Sequence, residues 1–278
     1  MCKKTKNYST VKIEFLSRCL LFVLAGILAA PTLSAQNIPS LFVVVDFMKV
    51  KPENHASYLQ VEQEIWKPMH QERVNEGIIV GWYLYAVEFS GGMDDYNYVV
   101  ITLYDNAEQL ENPWRSDIPT KVHPGRKVEE LMQRTYESRT HVKSELFFSI
   151  ATAPEIPLER PAPYMQVNFM KVEPQMASEY EQLESEIWLP IHNESIRSGR
   201  TTGWGLWSSL FPRGSGRPYQ YITLNAFSEY SYIFELDFSV PFNNIHPDKD
   251  YAKTRERTRE VRKIVRTELW DLIDYVIR

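Results

Sequence analysis

The chain has 278 residues, 31 Lys and Arg against 36 Asp and Glu for a formal net charge of −5, and two cysteines. The first 35 residues hold five basic residues, one acidic residue and both cysteines, so the remainder carries a net charge of −9 and no thiol. An acidic chain without a basic block argues against nucleic acid or an anionic membrane as partner, and a thiol-free one cannot rely on disulfides or a cysteine metal site.

Residues 1–35 read as a signal peptide. Lys3, Lys4, Lys6, Lys12 and Arg18 form a basic start, Cys19 to Ala30 an apolar run, and Ala35 a small residue at the cut before Gln36. The run is shorter than the roughly 20 residues that span a bilayer, so the mature protein is expected to be exported, to periplasm or beyond, and not to stay inserted.

A strand is predicted over Leu41–Val50. Val43, Val45 and Phe47 lie on one face, Val44, Met48 and Val50 on the other, with Asp46 the exception. Lys51-Pro52 breaks it. A helix follows to about Glu76, with Gly77 as a left-handed cap. Ile79–Phe89 and Tyr96–Tyr104 read as strands around the loop Ser90–Asp95, Pro124–Arg139 as a second helix, and Val142–Ile150 as a fourth strand.

This plan recurs. Glu62-Gln-Glu-Ile-Trp-Lys-Pro-Met-His70-Gln-Glu72 returns as Glu184-Ser-Glu-Ile-Trp-Leu-Pro-Ile-His192-Asn-Glu194, and Gly81-Trp82 returns as Gly203-Trp204. Ile101-Thr102-Leu103 is aligned with Ile222-Thr223-Leu224, and His123-Pro124 with His246-Pro247. The division is therefore residues 36–151 as a first repeat, 152–163 as a Pro-rich linker and 164–278 as a second repeat. Each is close to the usual domain size of about 100 residues. The second repeat is read as strands at Met165–Val172, Thr202–Phe211, Tyr219–Leu224 and Val265–Ile277, with helices at Ala177–Ser198 and Asp248–Lys263.

The β-α-β-β-α-β order, with strands apolar on both faces, resembles the ferredoxin-like repeat of the dimeric α/β-barrel superfamily. The fold class expected is α+β: two tandem ferredoxin-like repeats packed sheet to sheet as an intrachain barrel. The resemblance implies a fold shared by cofactor-free monooxygenases, small-molecule isomerases and haem enzymes. It carries over no catalytic residue, because none of their signatures is present.

The first helix of each repeat carries the chemistry. At 100° per residue, Tyr58, Ile65, Trp66 and Met69 form an apolar stripe with Glu62 in its middle, and Tyr180, Ile187, Trp188 and Ile191 surround Glu184 in the same way. A carboxylate there costs several kcal/mol, as an order of magnitude, unless it is paired. It is either a structural pair or a pocket acid or base of raised pKa. Pro68 and Pro190 interrupt the helical hydrogen bonds and should kink the helices, tipping His70 and His192 to the cavity rim.

The candidate acid–base residues are thus Glu62, His70, Glu184 and His192, and the candidate ligand-binding residues Tyr58, Trp66, Tyr180 and Trp188. The remaining expectations are simpler. His123-Pro124 and His246-Pro247 start helices, Arg139 and Arg262 pair with Glu145 and Glu268, and the Arg255–Arg262 run is a solvated face. No cofactor and no metal is expected, since the six histidines do not cluster at ligand spacing.

The reading that results is an exported protein binding a small, partly apolar molecule in a helix–sheet cavity, compatible with a homo-oligomer. The alternative is a cofactor-free enzyme, monooxygenase- or isomerase-like, using the Glu/His pairs. A haem protein is a third.

Overall fold

The computed structural model describes residues 41–154 and 160–278. The predicted signal peptide and the middle of the Pro-rich linker lie outside the described residues. No described helix is long and apolar enough to cross a membrane.

The strands are β1 (Phe42–Lys49), β2 (Gly81–Val87), β3 (Tyr98–Tyr104), β4 (Thr140–Ala153), β5 (Tyr164–Lys171), β6 (Gly203–Phe211), β7 (Tyr221–Phe227) and β8 (Lys263–Ile277). They form one closed barrel in the order β1-β3-β2-β8-β5-β7-β6-β4, with every neighbouring pair antiparallel.

This corrects the expected fold class. The chain is not two ferredoxin-like repeats packed sheet to sheet; it is a single eight-stranded antiparallel barrel with helices around it. The reason lies in the two longest strands. β4, at 14 residues, pairs with β1 on one side and β6 on the other, while β8, at 15 residues, pairs with β5 and β2. Backbone hydrogen bonds across these seams satisfy strand edges that face-to-face packing would leave open.

The two apolar faces of β1 then have different neighbours. Val43, Val45 and Phe47 point into the barrel, where Val99, Ile101, Phe147, Val167, Phe169, Ile222 and Trp270 fill the interior. Met48 and Val50 face outward and pack with Tyr58, Trp82 and Tyr98 beneath the helices.

Among the helices, α1 (His55–Val61) runs through a π-helical turn, Glu62–Trp66, into α2 (Lys67–Asn75). In the second half, α6 (Ala177–Gln182) runs through Leu183–Trp188 into α7 (Leu189–Arg197). The prolines therefore produce wide turns inside a continuing helix, because the missing N–H of Pro68 or Pro190 makes the ordinary i to i+4 ladder impossible there. Gly77 and Gly199 cap these helices at φ +71° and +74°, where a side chain would be strained.

Between them, α3 (Ala107–Glu111), α4 (Ile118–Val122) and α5 (Val128–Ser138) follow β3, and α8 (Ser239–Ile245) and α9 (Tyr251–Val261) follow β7. His123 and His246 do not open helices as expected. Each follows a short helix and places its Nε2 3.1 Å from a carbonyl at the π turn, that of Ile65 or Ile187.

One alignment also shifts. Trp82 pairs with Thr102 and Trp204 with Asn225, so Thr102 corresponds to Asn225 and Tyr104 to Phe227. The shared Ile-Thr-Leu had suggested a register two residues away. A slip of two keeps every side chain on its face, so the apolar pattern is blind to it.

Candidate functional site

Each half has a cavity between the outer face of the barrel and the covering helices. The first, about 500 Å³, is lined by Glu62, Trp66 and His70 among others; the second, about 730 Å³, by Glu184, Trp188 and His192. Six of the eight sequence-predicted residues therefore meet in threes. Tyr58 and Tyr180 line neither cavity and lie fully buried behind the glutamates.

Residues four apart share a helix face, and the wider π turn keeps residues eight apart, such as Glu62 and His70, on that face as well. Trp66 Nε1 donates to Thr135 Oγ1 at 3.1 Å and Trp188 Nε1 to Thr258 Oγ1 at 2.9 Å, locking the turns to α5 and α9.

Glu62 is 2% exposed and Glu184 4%. Arg139 Nε stands 3.4 Å from Glu62 Oε1, and Arg262 Nε 3.7 Å from Glu184 Oε1. These are ion-pair distances without hydrogen-bond alignment: Glu62 Oε1, Arg139 Nε and Arg262 Nε have no hydrogen-bond partner among the described residues. Burial pushes both carboxyls up to about 7, and the neighbouring arginine and tyrosine offset only part of it.

Arg139 and Arg262 were expected to pair with Glu145 and Glu268. They do not, because they end the helices on the outer side while those glutamates point towards the barrel interior. Glu145 accepts from Arg217 at 2.8 Å and Tyr219 Oη at 2.6 Å, and Glu268 from Tyr96 Oη at 2.5 Å and Trp270 Nε1 at 2.7 Å. In the Arg255–Arg262 run, Arg255, Arg257 and Arg259 are exposed as expected, and only Arg262 turns inward, to Glu184.

His70 and His192 were expected at the rim, yet they are 4% and 5% exposed. Each lies flat against the tryptophan after the β2 or β6 glycine, with ring centroids 4.8 Å apart for Trp82 and 4.6 Å for Trp204. Burial holds both imidazoles neutral, His192 down to about 3 and His70 well below its usual range with the help of Arg73.

From here the two cavities diverge. In the first, the buried guanidinium of Arg73 donates to His70 Nδ1 at 2.9 Å and to Tyr104 Oη at 3.1 Å, and lies 3.8 Å over the Trp114 ring. In the second, Ser195 replaces Arg73 and Phe227 replaces Tyr104. His192 and Asn225 line that cavity, and His192 Nδ1 and Asn225 Oδ1 have no hydrogen-bond partner among the described residues.

No protein-family model and no curated protein matches the chain. Solved structures do. It is similar to a candidate monooxygenase from Lactobacillus acidophilus NCFM, with TM-score 0.53, 11% identity, and 86% of this chain and 96% of that one covered. A candidate monooxygenase from Fusobacterium nucleatum subsp. nucleatum gives TM-score 0.53 and 12% identity over 86% and 94%. At such identities the likeness is one of fold alone.

Arg73 and Asn225 escaped the sequence reading, and Arg139 and Arg262 entered it with the wrong partners. The repeat itself held a signal: Arg73 and Ser195 occupy matched positions just after the shared histidines, so the arginine beside the first histidine has no counterpart beside the second.

Proposed function

We propose that the chain binds a small, partly apolar molecule in the second helix–barrel cavity. The observation that carries this reading is the second cavity itself, about 730 Å³ against about 500 Å³ for the first, with Glu184, His192 and Asn225 set in an aromatic wall. Trp188, Trp204 and Phe238 supply the apolar wall.

Native mass spectrometry of the purified protein, with an absorption spectrum, tests it. A ligand mass that disappears in His192→Phe is expected. No retained mass, together with no saturable tryptophan response to a metabolite panel, would overturn the reading, and a haem absorption band would replace it.

A second reading has its own support. Glu184, titrating near neutrality, shares the cavity with a neutral histidine, which suits transfer of a proton to and from a bound substrate without a cofactor. The fold shared with candidate monooxygenases is compatible with it. Retained binding with lost turnover in Glu184→Gln is the outcome that would distinguish an enzyme from a binding protein.

The same proposal includes export and an origin by tandem duplication. N-terminal sequencing of the exported form should begin near Gln36; a membrane-bound species starting at Met1 would count against it.

A further inference from the structure

The two cavities differ in charge. Histidines apart, the first is lined by two cations, Arg73 and Arg139, and by two carboxylates, Asp46 and Glu62. The second is lined by four cations, Arg255, Arg259, Arg262 and Lys263, against Glu184 and Asp237. Both of those carboxylates are already engaged, Glu184 by Arg262 at 3.7 Å and Asp237 by the Ser239 N–H at 2.8 Å. Asn168 stands where the first half has Asp46, so an acid lining the first cavity is a neutral amide in the second.

The surplus lies at the mouth. Arg255 and Arg259 are about one turn apart on α9, and both are exposed, as is Lys263 beyond the helix end. None of the three has an ion-pair partner among the described residues. Arg257 lies between the two arginines but does not line the cavity, and it is held by Glu179 and Glu260, each at 2.7 Å. The arginine turned away from the cavity is thus neutralised, and the two that line it are not. Trp66 and Trp188 donate to Thr135 and Thr258, a match that sets Arg255 against Met132 and Arg259 against Tyr136, where the first cavity has no charge. Leu236, Phe238 and Tyr251 also line the second cavity and are half-buried, so apolar surface is accessible in the same cavity as the cations.

Guanidinium forks bind carboxylates through paired N–H donors, and a basic mouth concentrates anions. An apolar wall beside it favours an anion that carries a ring over a bare hydrated ion. We propose that the second cavity takes a small aromatic carboxylic acid, its carboxylate on Arg255 and Arg259 at the mouth and its ring against Phe238 and Tyr251. This rests on the reading of the second cavity as a ligand site and names the class of ligand.

The test uses titration calorimetry of the full chain with cinnamate, cinnamyl alcohol (the ring without the charge) and inorganic phosphate (an anion without the ring). Cinnamate is expected to bind saturably, and about tenfold or more tightly than either of the others. Arg255→Met with Arg259→Tyr, which gives the second cavity the mouth of the first, should reduce cinnamate to the level of cinnamyl alcohol while leaving the alcohol unchanged. Arg257→Gln removes a charge from the same helix on its other side and should leave cinnamate affinity as it was.

If cinnamyl alcohol binds as tightly as cinnamate, or if no probe binds while native mass spectrometry still finds a retained ligand, the acid class is wrong and the cavity reading stands. If the wild type holds neither a probe nor a co-purified molecule, both are overturned. Phosphate binding as tightly as cinnamate would reject the ring. An equal loss in Arg257→Gln and in the double variant would reduce the effect to overall charge and reject the placement. Because the double variant could misfold, Asn168→Asp provides a second one: it restores the acid of the first cavity and should weaken cinnamate but not cinnamyl alcohol, and unchanged cinnamate affinity there would overturn the placement.

Discussion

At the scale of the residue, the buried glutamates and histidines pull stability in opposite directions with pH. Glu62 and Glu184, raised from 4.5 to about 7, hold their protons more tightly when folded. Their contribution is full below the ordinary carboxylate range and is lost as pH rises to about 7. His192, lowered from 6.5 to about 3, contributes fully above 6.5 and loses that contribution as pH falls towards 3. Between 4.5 and 6.5 the two trends offset each other. Glu184→Gln removes one of them. It is expected to raise stability at pH 8 by about 2–3 kcal/mol and to change little at pH 4.5, as read by urea unfolding at each pH. An equal loss at both would mean an ionised structural carboxylate. The neighbouring arginine gives a second check. Arg139→Met leaves Glu62 buried without its cation and should cost about 3 kcal/mol, most of it recovered when Glu62→Gln is added.

At the scale of the element, the π turns decide which side chains enter the cavities, and a histidine from a distant loop braces each one. His123 Nε2 lies 3.1 Å from the Ile65 carbonyl and His246 Nε2 3.1 Å from that of Ile187. His123→Ala should cost about 1–2 kcal/mol and loosen the Trp66–Thr135 lock, visible as a shift in tryptophan fluorescence. Unchanged stability and emission would mean the turn needs no brace. The prolines were legible in the sequence as interruptions, but the form of the interruption was not. Whether a broken ladder kinks a helix or widens one turn depends on what donates to the freed carbonyls, and here the donors come from 58 and 59 residues away.

For the whole molecule, closure joins the two halves along β2–β8 and β4–β6. A fragment covering residues 36–152 would expose β2 and β4 as open edges and the interior face of its strands, and it should dimerise or aggregate. Sedimentation of the fragment checks this, and a stable soluble monomer would count against the dependence of each half on the other.

Local pattern was enough to place the strands, the Gly77 cap and the buried carboxylates. Alternation, helical periodicity and glycine chemistry act over a few residues, and a second copy in the same chain repeats each of them. What joined them was beyond that range. The apolar faces of β1 permitted sheet-on-sheet packing as well as a barrel, and only the reach of β4 and β8 across to β6 and β2 chose the barrel. Register behaved similarly, since the shared Ile-Thr-Leu fits two alignments on the same face and only the partners of Trp82 and Trp204 separated them. Arg73 shows the limit most plainly. In sequence it is one basic residue near a helix end, and only the fold brings His70, Tyr104 and Trp114 around its guanidinium. The same three-dimensional comparison sets Ser195 and Phe227 in the matching places.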